Sequence, residues 1–524
     1  MTDALADYDK LMASDGVQGL AGDAALAPIA DLVNLADDLR KKEGAERALE
    51  WCDAFEASGI SDAHLAVLNY FRANAWAALT SIRSVDKKTT WAWDQPEIAK
   101  QILHLRKALN SPAFDHLPSL YRCQILTNLG NQLDAVGRFV EALEYWTRAL
   151  SIDKNFWMAQ GNRGYALIHY AKAHYDRGQS AALLLFAHRD LSAAISLASN
   201  HPGLGHGEAL EAFVTQKTHA EAGINIEKAS KLIKLDGHDL GETKEEERYR
   251  RWCLSNRLFL NPLNDLGPHT IAARDTMTLP DFVTKLKEPP WPVGFFNQMK
   301  QEFVSARWMY YDGLNSTEAH FSDRDVLLYN TLDYPAYGLS VEKTKVALRT
   351  AYSLLDKIAF FLNKYMKLNV PPGDVSFGRI WRTKERAPVR PEFEQSENWP
   401  FRGLYWLSKD VLDKEFKGST EPDARELHDI RNHLEHKYLK VHEMLVTRPL
   451  DPDSPLAWLV DDLAYSIVRP EFNAKALRVL KLARAALMYL SLGMNREEKR
   501  RAAKPGKDMI ASMPLDTWED EWKM

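Results

Sequence analysis

Cysteine is scarce in this chain. Its 524 residues include three, Cys52, Cys123 and Cys253, with neither CxxC spacing nor a histidine cluster around them. That excludes a disulfide framework, gives no zinc signature and fits a reducing compartment. A basic excess is missing too: the net charge is −5, which argues against a general nucleic-acid coat protein, so RNA binding must come from a local basic patch. No run of about eighteen uncharged apolar residues occurs, and the N-terminal stretch, Thr2-Asp3-Ala4-Leu5-Ala6-Asp7, is acidic where a signal peptide is basic. A soluble cytoplasmic protein without a membrane contact is the expectation. There is also no Walker loop, no GxGxxG after a strand, no GxSxG and no HExxH. Neither a cofactor nor a metal is expected.

Apolar residues make up 45% of the chain, enough for two or three buried cores at this length. Residues 1–45 mix Ala, Asp and Gly with short amphipathic pieces and read as a loose helical start. From 46 to 200 the pattern is one of paired amphipathic helices. The clearest unit has large residues at Leu126, Leu129, Leu133 and Trp146 and small ones at Gly130, Ala142 and Ala149. Small residues there let two helices approach while large ones fill the gap, and Gly164 follows Gly130 by 34 residues. This resembles the tetratricopeptide repeat, with a degenerate unit over His64 to Leu109. Such an array is a scaffold or a concave face for a protein partner. Residues 201–330 read as a helical connector, in which Asn256, Asn261, Asn264 and Asp265 serve as caps and turns or, less readily, line a pocket. The remainder, 331–500, is helical apart from a proline-rich loop over 369–400, and 501–524 is a charged tail. The expected fold is therefore all-α.

Within the last domain, Arg431-Asn432-His433-Leu434-Glu435-His436-Lys437-Tyr438 places a permanent cation and a titratable imidazole close together. Arg can clamp phosphate oxygens, and His can move protons to and from a 2′-hydroxyl or a leaving oxygen near neutral pH. An Arg followed at similar spacing by His recurs at Arg163 and His169, where a repeat helix explains it better. Thr420-Glu421-Pro422-Asp423 is a good helix start, so a motif helix is expected from Glu421 to Leu445. Leu427, Ile430, Leu434 and Val441 would face the core, leaving Asn432, His436 and Lys440 on a polar side. His433 and His442 read as surface residues. The loop cations Arg379, Arg382, Lys384, Arg386 and Arg390 are candidates for tracking phosphates.

The run Arg431-Asn432, His436, Tyr438 is similar to the mark of the HEPN family of helical nucleic-acid enzymes and toxins. The apolar stretch Val341 to Leu368 looks like that family's first helix, Asn398 to Ser408 like the start of the second, and Ala474 to Met494 like the last. The whole resembles a bacterial subfamily in which tetratricopeptide repeats precede the HEPN domain. The resemblance implies a metal-independent endoribonuclease with Arg431, Asn432 and His436 as catalytic residues. Its products would be a 2′,3′-cyclic phosphate and a 5′-hydroxyl. It also implies a homodimer that brings two motifs together, and a toxin-like or defence role gated by the repeats. Lys437, Lys440, Arg382 and Arg386 are the expected RNA contacts. Tyr438 is a candidate for modification by a nucleotidyltransferase antitoxin acting in trans. The competing class is a non-catalytic interaction or RNA-binding scaffold.

Overall fold

The computed structural model describes residues 2–83, 91–200, 207–284, 287–384, 387–412, 430, 432–434, 437–443, 461, 463–503 and 513–523. Within them the chain is helical, with one two-stranded sheet.

The N-terminal half stacks antiparallel helix pairs: α2 (Asp23–Asp38) with α3 (Lys42–Ala57) after a short α1 (Thr2–Met12), then α4 (Asp62–Arg83) with α5 (Pro96–Leu109). The pairs α6 (Ser119–Ala135) with α7 (Phe139–Ile152) and α8 (Trp157–Ala173) with α9 (Arg177–Ser199) follow, and α10 (Gly207–Gly223) packs on α8 and α9. Small residues set the spacing. A Cβ on Gly130 would lie 2.7 Å from the Trp146 indole nitrogen, and one on Gly164 would lie 2.8 Å from Leu191, so both pairs close at a distance that only glycine permits. By length and composition α9 could cross a bilayer, yet it packs along α8 and its buried Asp190 pairs with Arg163 at 2.7 Å.

The first 45 residues are not loose. Ala25, Ile29, Leu32 and Ala36 are fully buried, because α2 has apolar residues at helical spacing and both α3 and α4 to cover them.

In the connector, α11 (Ile226–Leu232) and α12 (Lys244–Ser255) are followed by irregular chain. Helix α12 ends at Ser255. Arg257 adopts φ +56, and Leu258 N donates to Cys253 O at 2.9 Å, the wrapped C-terminus that a left-handed residue produces. The amides turn out to be caps: Asn261 Oδ1 accepts from Leu263 N at 3.0 Å, and Asn264 Nδ2 donates to Leu254 O at 3.0 Å.

The C-terminal part holds α13 (Trp291–Asn315), α14 (Leu339–Tyr365), α15 (Trp399–Leu412) and α16 (Arg469–Ala502), with strands β1 (Tyr438–His442) and β2 (Ala464–Val468). The strands pair in parallel, Tyr438 opposite Ala464 and His442 opposite Val468. All-α is thus the fold class, with this small sheet as an addition. The loop over 369–400 is a packed turn rather than a solvated crossover. Phe377, Trp381, Val389 and Phe393 are buried, and Arg390 N bonds Trp381 O at 2.8 Å.

Helices α15 and α16 are clamped to the N-terminal helix pairs. Arg106 of α5 grips Asp410 of α15 through two hydrogen bonds of 3.0 and 2.9 Å, and Arg138 adds a third; all three side chains are buried. Asp94 receives Lys409 at 2.5 Å and also pairs with Arg382 and Tyr405. Phe139 stacks on Trp399 at 4.2 Å, Arg484 of α16 bonds Asp265 at 2.7 Å, and Tyr170 bonds the same carboxylate at 3.0 Å. At the α6–α7 turn, Gly137 has φ +90, and a Cβ there would lie 2.2 Å from Trp399 O. The backbone of α15 therefore touches the α6–α7 turn directly.

Asp134 belongs to the same junction. Its backbone oxygen accepts from Trp399 Nε1 at 2.9 Å, while its Oδ1 is enclosed without a hydrogen-bond partner. Burial pushes its carboxyl up to about 7. The folded value lies above the unfolded one of about 3.9, so the fold takes up a proton. The associated stability is complete below about pH 4 and is lost as pH rises through about 7. Asp134→Asn should therefore raise the thermal midpoint at about pH 8 and leave it unchanged at about pH 4, a difference that melts at the two pH values measure directly.

Candidate functional site

The motif sits between α15 and α16. Arg431, Glu435, His436 and Arg386 lie outside the described residues, as do 413–429. Ile430 and 432–434 are helical. Ile430 is fully buried, Leu434 packs on the core, and Asn432 and His433 are half-buried.

The expected helical course to Leu445 is corrected: Lys437 is a bend and the chain from Tyr438 is extended. Arg349 of α14 donates to Leu434 O at 2.8 Å, which satisfies one of the carbonyls that a helix C-terminus leaves open. Lys437 N returns to His433 O at 3.2 Å, and from Tyr438 the chain is a strand. The physical reason is the composition of Tyr438-Leu439-Lys440-Val441-His442, where aromatic and β-branched residues favour an extended chain when a partner strand is present. Val441 is buried as expected, but from β1. His433 is held near the Tyr465 ring of β2, with centroids 5.5 Å apart.

Lys440 does not share a helical polar face with the motif. It is buried, donates to Asp333 Oδ2 at 2.6 Å and lies 3.4 Å from Asp461. Burial tends to raise the Asp333 carboxyl, but hydrogen bonds from Lys440 and Thr331 hold it below the ordinary carboxylate range. His442, expected on the surface, is 1% exposed. Its Nδ1 is 3.0 Å from Asp333 O, and burial lowers its pKa. Arg382 is likewise committed, to Asp94, Tyr405 and Ala387 O. The charges of Lys440 and Arg382 are compensated inside the protein, so neither offers RNA an unpaired cation. Lys437 and Tyr438 remain on the surface, Tyr438 with 42% of its area exposed.

The structure adds Arg349, Asp333 and Tyr465 to the motif's surroundings, none of them singled out by sequence. Arg349 and Asp333 lie more than eighty positions upstream in chain order, so no local spacing marks them. Asp333 leads into a segment that bonds β1, since Ala336 N donates to Val441 O at 2.7 Å. This segment and α14 thus bond the chain on either side of the motif's end, at Val441 O and Leu434 O.

No curated protein and no solved structure matches the chain. Residues 283–497 do match a family model, described as LA2681-like HEPN. That stretch begins ahead of α13, which packs along α14, and it contains the motif, both strands and nearly all of α16. The C-terminal part of this chain is accordingly similar to the LA2681-like HEPN domain over residues 283–497.

Proposed function

We propose that this HEPN domain is a metal-independent endoribonuclease. His436 moves the proton of the 2′-hydroxyl or of the leaving 5′-oxygen, and Arg431 stabilises the phosphorane where negative charge develops. Asn432 orients groups in the site, and Lys437 and Tyr438 lie at its solvent side. The observation that carries this reading is the Arg-Asn-x3-His-x-Tyr run inside the matched stretch 283–497; at family level, that match supports an RNA-related role.

One motif supplies a single proton-transfer group, so the active unit in this proposal is a homodimer with two motifs in one cleft. The exposed phenol of Tyr438 is accessible to a nucleotidyltransferase acting in trans. The helices upstream restrain the domain in a toxin-like or defence role.

The test is incubation of the purified full chain with total RNA and excess chelator. Cleavage under those conditions, restored in part when Arg431→Ala and His436→Ala chains are mixed, is the expected result. RNA left intact with chelator but cut on adding a divalent metal would overturn the proposal, as would full activity from a strict monomer.

A further inference from the structure

Arg257, just past the end of α12, is held in a left-handed backbone conformation with φ +56, where glycine is the usual residue because a side chain crowds the backbone. Arg257 is half-buried. Among the described residues its guanidinium makes no hydrogen bond and no ion pair, and its Nη1 is fully enclosed. An arginine here costs the fold twice, through backbone strain and through a cation drawn out of water without a counterion. No contact within the described chain offsets either cost.

The acids nearby are already taken. Lys481 of α16 holds Glu144 of α7 at 2.8 Å, and Arg484 holds Asp265 at 2.7 Å. Burial lowers the Arg257 pKa; Glu144 and Asp265 oppose this, while Arg484 and Arg163 reinforce it. A further cation bears on the same place. Arg148, one turn after Glu144 on α7, is exposed, pairs with no carboxylate among the described residues and stands 5.6 Å from the centre of the Tyr145 ring. Burial tends to raise the Glu144 carboxyl, but Lys481, Arg257 and Arg148 hold it below the ordinary carboxylate range. Of these three cations, Arg257 and Arg148 are left without an acid.

Two uncompensated guanidiniums match a phosphate monoester, which carries about −1.5 to −2 charges near neutral pH and three acceptor oxygens. A carboxylate, or one link of a phosphodiester chain, would neutralise only one of them. The planar fork of arginine can take two phosphate oxygens at once. With Arg148 exposed, the approach from solvent is over α7.

We infer that Arg257 and Arg148 bind the phosphate group of a small phosphate monoester, where α7, the connector and α16 meet. This goes beyond the nuclease reading and does not depend on it. The full chain is titrated calorimetrically, and melted, with inorganic phosphate, adenosine monophosphate and adenosine at constant ionic strength. Saturable binding of both phosphates with a rise in melting temperature, and none by adenosine, is the expected result. Tighter binding of the nucleotide than of inorganic phosphate would extend the site to the nucleoside; equal binding would confine it to the phosphate group. Arg148→Ala should weaken binding about tenfold or more, the loss of one charge-assisted contact. Arg257→Gly should abolish binding and yet raise the melting temperature of the ligand-free chain, because glycine relieves the backbone and removes the unpaired charge. Absence of saturable binding by either phosphate, binding unchanged in Arg257→Gly, or a ligand-free Arg257→Gly chain that melts below wild type would overturn the proposal. So would equally strong binding of an RNA dodecamer with hydroxyls at both ends, which offers diesters only.

Discussion

Asp410→Ala should destabilise the full chain by about 3–5 kcal/mol, read as a fall in the urea midpoint. The carboxylate accepts both terminal nitrogens of Arg106 and one of Arg138, and its side chain and both guanidiniums are at most 3% exposed. Removing it takes both terminal-nitrogen bonds from the Arg106 guanidinium in a place water does not reach, while Arg138 keeps its bonds to Glu141. Lys42→Ala, which breaks an exposed pair with Glu46 at 2.9 Å, should leave the urea midpoint almost unmoved. An effect as small for Asp410→Ala would show that the junction is not buried as described. The same variant tests restraint of the nuclease. If the repeats hold the HEPN domain back, loosening their clamp should raise RNA cleavage at temperatures where the variant remains folded.

The clamp also changes how restraint has to be tested. A fragment beginning at 331 would lose α13, which packs along α14, and would bare Tyr405, Arg484 and Tyr489, buried at or near the repeat junction. Its behaviour would report misfolding as readily as release, whereas a single change within the intact chain keeps the two apart.

Helices were legible where periodicity and small residues spoke together. Gly130, Ala142, Trp146 and Ala149 mark one close-packed pair, and Gly164 marks the next at the same contact. The long C-terminal helices were legible because α14 and α16 carry apolar stripes, α14 starting two residues and α16 five residues before the expected Val341 and Ala474. The stretch after Leu434 was not legible. Val441 fits a helical stripe running on from Ile430 and Leu434, and nothing local announces β2, 26 residues after Tyr438, as the partner that makes the strand worthwhile. Lys440 and Arg382 read as solvent-facing cations because the acids that neutralise them, Asp333 and Asp94, are distant in sequence. Burial of His442 has the same origin. The domain junction was invisible for a related reason: Arg106, Arg138 and Asp410 are each unremarkable alone, and only the packed fold brings them together.

His436→Ala should lower RNA cleavage by about 10²- to 10⁴-fold, the usual contribution of a positioned general acid or base. Asn432→Ala should cost less, since an orienting amide donates no proton in the step. Arg349→Ala is the informative companion. It removes the donor to Leu434 O, and should reduce the cleavage rate by loosening the backbone at that carbonyl while leaving the pH profile unchanged. A shifted pH profile would instead make Arg349 part of the charge balance at the reacting phosphate. Retention of wild-type rate by His436→Ala would remove the proposed chemistry outright.

The most direct measurement is the chemistry of the cut ends. A defined single-stranded RNA is incubated with the full chain in excess chelator, and the fragments are resolved by mass. Fragments ending in a 2′,3′-cyclic phosphate with a 5′-hydroxyl on the downstream piece, formed by wild type and absent with His436→Ala, are the predicted result. Fragments with a 5′-phosphate, or identical fragments from the His436→Ala chain at the wild-type rate, would contradict it.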